Sequence, residues 1–110
     1  MIKLHSWHKL VEDRPMEHVR RRRIVGQQAM ISEIRLTKGC HVPLHSHVNE
    51  QFVILLAGRA RFQVGDETCV MEEGQVLEVP ANVPHSCTAE EDCYILDVFS
   101  PISDTTGVDG

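Results

Sequence analysis

Along most of this chain hydrophobic and polar residues alternate with a period of two, and helical periodicity is almost absent. The run Arg59-Ala60-Arg61-Phe62-Gln63-Val64 is the clearest case: Ala60, Phe62 and Val64 face one way and Arg59, Arg61 and Gln63 the other. Turn signals recur every roughly 8–12 residues, the spacing of an all-β sandwich or barrel. The pattern predicts strands over His18–Val25, Ala29–Thr37, Gln51–Leu56, Ala60–Val64, Thr68–Met71, Val76–Val79, His85–Thr88 and Cys93–Phe99. Turns are expected at Lys38-Gly39, Ala57-Gly58, Gly65-Asp66, Glu73-Gly74, Pro80–Pro84 and Glu90–Asp92, with Gly65-Asp66-Glu67 as a tight hairpin. Glu12–Glu17, around Pro15, reads as a loop. The small, polar tail 103–110 is expected to fray.

With 110 residues the chain has the length of one domain spanning 1–110. A domain of this size buries only about 60–70% of the surface its unfolded chain exposes, and a closed barrel answers that limit by leaving no free edge. Sixteen acidic residues against eleven basic ones give a net charge of −5, which argues against nucleic acid or an anionic membrane as partner. The longest apolar stretch, Phe52 to Ala57, is a strand's length and far short of a membrane span. Met1-Ile2-Lys3-Leu4-His5 has no signal-peptide core, so a cytoplasmic location is expected. In such a reducing compartment the widely spaced Cys40, Cys69, Cys87 and Cys93 read as free thiols.

The candidate chemistry begins at His45-Ser46-His47, which puts two imidazoles on one face of an extended segment. Carrying the same parity forward reaches Asn49 and then Gln51, which favours the Gln51 amide oxygen as a third ligand. A bulge would substitute Glu50, and both remain open. His85 opens a strand just after Pro80 and Pro84 and is placed to supply a fourth donor. Three imidazoles and an amide oxygen suit one divalent transition ion: Ni, Mn, Fe, Co or Zn.

Two spaced motifs add a resemblance. Gly39, His45, His47, Gln51 and Gly58 resemble the first cupin motif, with Gln where Glu is usual. Gly74, Pro80, Asn82 and His85 resemble the second, with Asn82 in place of a Gly, and fifteen residues separate the two. The core motifs thus occupy 39–58 and 74–85. The chain is identified on them as a single-domain, RmlC-like cupin, an all-β barrel or jelly roll. Among cupins it is similar to the KdgF family of pectin degradation, through Trp7, the basic run into Ile24, the His-Ser-His…Gln site and Asp97-Val98-Phe99-Ser100-Pro101. That family opens unsaturated uronate monosaccharides to their keto form. By position the resemblance implies His45, His47, Gln51 and His85 as metal ligands, with Asp97 and Phe99 lining the pocket as the catalytic pair. Two positions depart from the family pattern: Ser103 stands where it has Arg, and Ile54 where it has Tyr.

Asp97 lies in an otherwise apolar strand, where a carboxylate is costly unless paired or used. It shares a face with Phe99 and reads as an acid/base or a substrate contact, with a structural hydrogen-bonding role as the alternative. Arg20–Arg23 alternates across a strand, so only two of its arginines reach any one surface; a solvated strand is the plain reading, and one pair holding an anionic substrate the other. His5, His8, His18 and His41 read as surface or packing residues, with Pro43 and the Gly39 turn ending the strand before His45.

Three functions follow. The first is a metal-dependent isomerase or ring-opening enzyme on a small sugar acid or related oxo/hydroxy compound. The second is an iron-dependent dioxygenase, and the third a non-catalytic small-molecule-binding module. A small-molecule partner, anionic ones included, is expected with any of them, and the resemblance to small cupins implies a homodimer.

Overall fold

The computed structural model describes residues 1–102, so the tail 103–110, with Ser103, lies outside the described residues. A 3-10 turn at Trp7–Lys9 precedes ten strands: β1 (Asp13–Met16), β2 (Val19–Val25), β3 (Met30–Leu36), β4 (His41–His45), β5 (Glu50–Ala57), β6 (Arg59–Val64), β7 (Glu67–Glu72), β8 (Val76–Val79), β9 (His85–Ala89) and β10 (Cys93–Ser100). They form two antiparallel sheets, ordered β1-β2-β3-β10-β5-β8 and β4-β9-β6-β7. Packed face to face, the two sheets make a jelly roll.

The period-two pattern accounts for the core. Val19, Ile34, Leu36, Val53, Leu55 and Ile95 from the larger sheet meet Val42, Ala60, Phe62, Met71 and Ala89 from the smaller one. Each of these side chains larger than alanine contributes roughly 1.5–3 kcal/mol on burial. In β6, Ala60 and Phe62 are buried while Arg59, Arg61 and Gln63 are exposed, as the alternation predicts. Central β10 is hydrogen-bonded on both sides, with Asp97 opposite Ser32 of β3 and Val53 of β5. Gly65-Asp66 closes the β6–β7 hairpin, across which Val64 pairs with Glu67.

Three sequence expectations change. Asp13–Met16 is a strand and not a loop, and His41–His45 runs as one strand through Pro43. Both β1 and β4 lie at sheet edges, where a proline's missing N–H costs no ladder bond. Among the described residues the barrel also keeps free edges, because β1, β8, β4 and β7 end their sheets without hydrogen-bonded neighbours across the sandwich. The four cysteines are free; burial pushes the Cys87 thiol up to about 12.

Arg21 is buried at 3% exposure and makes a two-bond contact to Asp13 (3.1 and 2.7 Å) that ties β1 to β2. On the outer face, the buried Glu33 carboxylate accepts from Tyr94 Oη (2.6 Å) and Arg35 (3.1 Å) and lies 3.5 Å from Arg22. Each charge there has a hydrogen-bonded partner, the condition under which burial of a charge is tolerated.

Gly58 turns β5 into β6 at φ +96°, and a Cβ there would lie 2.2 Å from Asp92 O. Gly39 also has positive φ but open space around it. Gly58→Ala should therefore cost more than about 3 kcal/mol or prevent folding, and Gly39→Ala about 1 kcal/mol, in urea unfolding. The Arg21 guanidinium holds the Asp13 carboxyl below its ordinary value of 3.8. Its stabilisation is complete above that value and is lost as pH falls through the folded value. The stability gap between the parent and Asp13→Asn should thus be largest near neutrality and close below pH 3.8, as read by denaturation at a series of pH values.

Candidate metal centre

Three strand ends and one loop assemble the site. His45 closes β4 and His85 opens β9, and the two are directly paired across the smaller sheet. His47 follows in the 46–49 loop that crosses to the larger sheet, and Gln51 is the second residue of β5. The ring centroids lie 4.3 Å apart for His45–His85, 4.8 Å for His47–His85 and 5.8 Å for His45–His47. One ligating nitrogen from each imidazole falls within 4.8 Å of the others, so the three-His group can hold a metal ion.

The backbone sets the tautomers. His45 Nδ1 faces Pro43 O (2.7 Å), His47 Nδ1 faces Asn49 O (3.0 Å) and His85 Nδ1 faces Val83 O (2.9 Å). A carbonyl only accepts, so each Nδ1 carries the proton and each Nε2 presents a lone pair. His85 Nε2 is buried without a partner. His47 Nε2 lies 3.2 Å from Gln51 Oε1, although the Gln51 amide also donates to Asp97 and so turns its oxygen toward the imidazole. Two acceptors thus face each other. A proton on both nitrogens of His47 would relieve the contact, but burial pulls its pKa down; burial also pulls that of His85 down, to about 4. A cation among the lone pairs satisfies all of them, so these residues fit a divalent ion.

Gln51 is 8% exposed and points inward, whereas Glu50 is exposed and points outward. Strand parity does not connect His45 to this arrangement. Residues 46–49 are not strand, and the two strands they join belong to different sheets, so alternation is not carried from His45 to Gln51. Asn49, which the parity would aim at the metal, is fully buried and donates instead to Pro101 O.

Asp97 and Phe99 share the inner face of β10 and are both buried. The Phe99 ring meets His47 edge to face at 5.7 Å. Burial raises the Asp97 carboxyl to about 7 against the lowering effect of the Gln51 hydrogen bond, and Oδ1 has no partner. A cavity of about 50 Å³ adjoins the site, lined by His45, Gln51, His85 and Asp97 and otherwise almost wholly by apolar side chains.

Arg23 does not line this cavity; it borders a separate open groove with Leu10, Val25, Met30 and Ile102, and lies 3.6 Å from Asp13. Arg20 is exposed. His41 binds Thr88 Oγ1 at 2.8 Å, away from the site. Sequence reasoning missed the carbonyls of Pro43, Asn49 and Val83. Their common signal is a spacing of two residues from each histidine, which has meaning only once the backbone direction at the strand ends is known.

Residues 32–99 match the family model described as Cupin domain. A curated protein of Streptomyces coelicolor, itself uncharacterized, is 39% identical over 56 residues, which is 50% of this chain and 53% of that one; the match therefore spans about half of the relative's length. Among solved structures, KdgF from Halomonas sp. superposes with a TM-score of 0.88 at 19% identity, over 94% of this chain and 97% of that one. An RmlC-like cupin from Shewanella frigidimarina gives 0.88 at 19% identity, over 94% and 95%. A variant oxalate decarboxylase from Bacillus subtilis gives 0.84 at 22% identity, over 94% of this chain but 31% of that one. Another structure of that decarboxylase, matching at 0.82, concerns its Mn(II) centers. Among the described residues no helix is long and apolar enough to cross a membrane.

Purified protein loaded with a divalent ion should retain about one ion per chain after desalting, by elemental analysis, and unfold at a higher temperature than the metal-free form. His85→Ala should lose both the ion and the thermal shift, since it removes a ligating imidazole whose Nε2 is buried without a partner among the described residues.

Proposed function

The chain belongs to the cupin family, and from that premise we propose that it is a metal-dependent enzyme that moves a proton on a small oxo or hydroxy compound. The observation that carries this reading is the unpartnered Asp97 Oδ1, buried in the same cavity that His45, His85 and Gln51 line. A buried carboxylate oxygen with no partner is costly for stability, and acid/base work is the role that such a position serves.

The Nε2 atoms of His45, His47 and His85 and the Oε1 of Gln51 would hold the ion. When bound, it supplies Lewis-acid polarisation of a substrate oxygen and so acidifies the neighbouring C–H or O–H. Gln51 is neutral, so the four ligands leave the ion's whole charge for the substrate. Asp97 takes the proton at Oδ1 and returns it at another atom, while the Gln51 amide keeps the carboxylate oriented. Phe99 packs on His47 and keeps water from that side of the site. The ring opening of unsaturated uronates, implied by the resemblance to KdgF, is one reaction of this class. The Mn(II) centers of the B. subtilis decarboxylase put manganese among the candidate ions.

A second reading, iron-dependent dioxygenation, is favoured by the three-imidazole set itself, which leaves coordination positions for substrate and oxygen. The two part on oxygen. Under anaerobic conditions in D2O, metal-loaded protein should exchange the hydrogens next to the carbonyl of 2-oxobutyrate, read by proton NMR. Asp97→Asn should slow the exchange by about 10²–10⁴-fold. Absence of exchange by metal-loaded protein would contradict proton transfer, and substrate-dependent oxygen uptake would move the assignment to the dioxygenase.

A further inference from the structure

We infer that this centre takes a short-chain 2-oxo or 2-hydroxy acid with a small aliphatic tail, in preference to a six-membered sugar acid. The inference rests on the metal-dependent reading above and names the substrate class of that same site.

Size is the first observation. The cavity that adjoins His45, Gln51 and His85 measures about 50 Å³. A cavity that takes a benzene ring is about 150 Å³. The space beyond the ligand cluster is about a third of that.

The walls are the second. Ile34, Leu36, Val53, Ile95 and Phe62 line the cavity, drawn from both sheets. They would accept methyl and methylene groups and offer nothing to a ring hydroxyl, which would lose its water without a replacement hydrogen bond. Apart from Ser86 and Cys87, the polar lining side chains are His45, His85, Gln51 and Asp97.

Charge is the third. Among the described residues no Lys or Arg lines the cavity, so a substrate carboxylate has only the ion to bind there as a cation. A 2-oxo or 2-hydroxy acid meets that condition, because its carboxylate and its neighbouring oxygen can bind one ion together. A 2-hydroxyl, or the enol of a 2-oxo acid, then supplies the donor that Asp97 Oδ1 lacks. The tail is left to the apolar walls.

The test is a titration of the Co(II)-loaded full chain, read by its visible spectrum, with glycolate, 2-hydroxybutyrate and galacturonate. Glycolate and 2-hydroxybutyrate differ by two methylene equivalents, and about tenfold is expected for each one buried. 2-Hydroxybutyrate should bind at least tenfold more tightly than glycolate, and galacturonate should cause no saturable change. Ile95→Phe, which narrows the apolar lining, should retain Co(II) and glycolate binding while losing the preference for 2-hydroxybutyrate. Galacturonate binding as tightly as 2-hydroxybutyrate would overturn the inference and leave the metal centre standing. Failure of the parent protein to take up Co(II) would overturn the metal-centre reading and this inference with it.

Discussion

Three imidazole lone pairs converge inside an apolar sandwich because three backbone carbonyls have already claimed the other ring nitrogens. Pro43, Asn49 and Val83 accept from Nδ1 of His45, His47 and His85, each two residues away along the chain. What remains is a set of acceptors facing one another, with His85 Nε2 buried and unpartnered and Gln51 Oε1 opposed to His47 Nε2. Buried acceptors without donors are costly, and a divalent cation meets all of them at once. The site is thus an arrangement that folding leaves incomplete.

The fold supplies that arrangement through its edges and its centre. β4 and β9 bring His45 and His85 together by strand pairing, and the 46–49 crossing between sheets delivers His47 to the same point. From the other sheet, central β10 presents Asp97 and Phe99, and neighbouring β5 presents Gln51 opposite Phe99. Rigid, doubly paired strands carry the residues on the larger sheet, as a site needs if its geometry is to be held without a mobile loop.

Much of this was legible in the chain itself. The alternation in β6 and the apolar run of β10 led to the correct inner and outer faces, and the spaced Gly-His-His-Gln-Gly and Gly-Pro-His patterns led to the family. Asp97 stood out because a carboxylate in Ile95-Leu96-Asp97-Val98-Phe99 has no reason of stability to be there. What was not legible depends on through-space relations. Pro15 and Pro43 hid β1 and β4, since only the sheet order shows that these are edge strands. The parity from His45 to Gln51 ended at a side chain that points inward, although the chain leaves its strand in between. Arg21, one of four consecutive arginines, is buried against Asp13, a pairing fixed by the β1–β2 register and invisible to composition.

The ion's coordination is the central point, and X-ray absorption at the metal edge of the loaded protein tests it most directly. Three imidazole nitrogens with oxygen in the remaining positions, falling to two imidazoles in His47→Ala, is the predicted result. A first shell of oxygen alone, one containing sulfur, or no ion retained after desalting would contradict it.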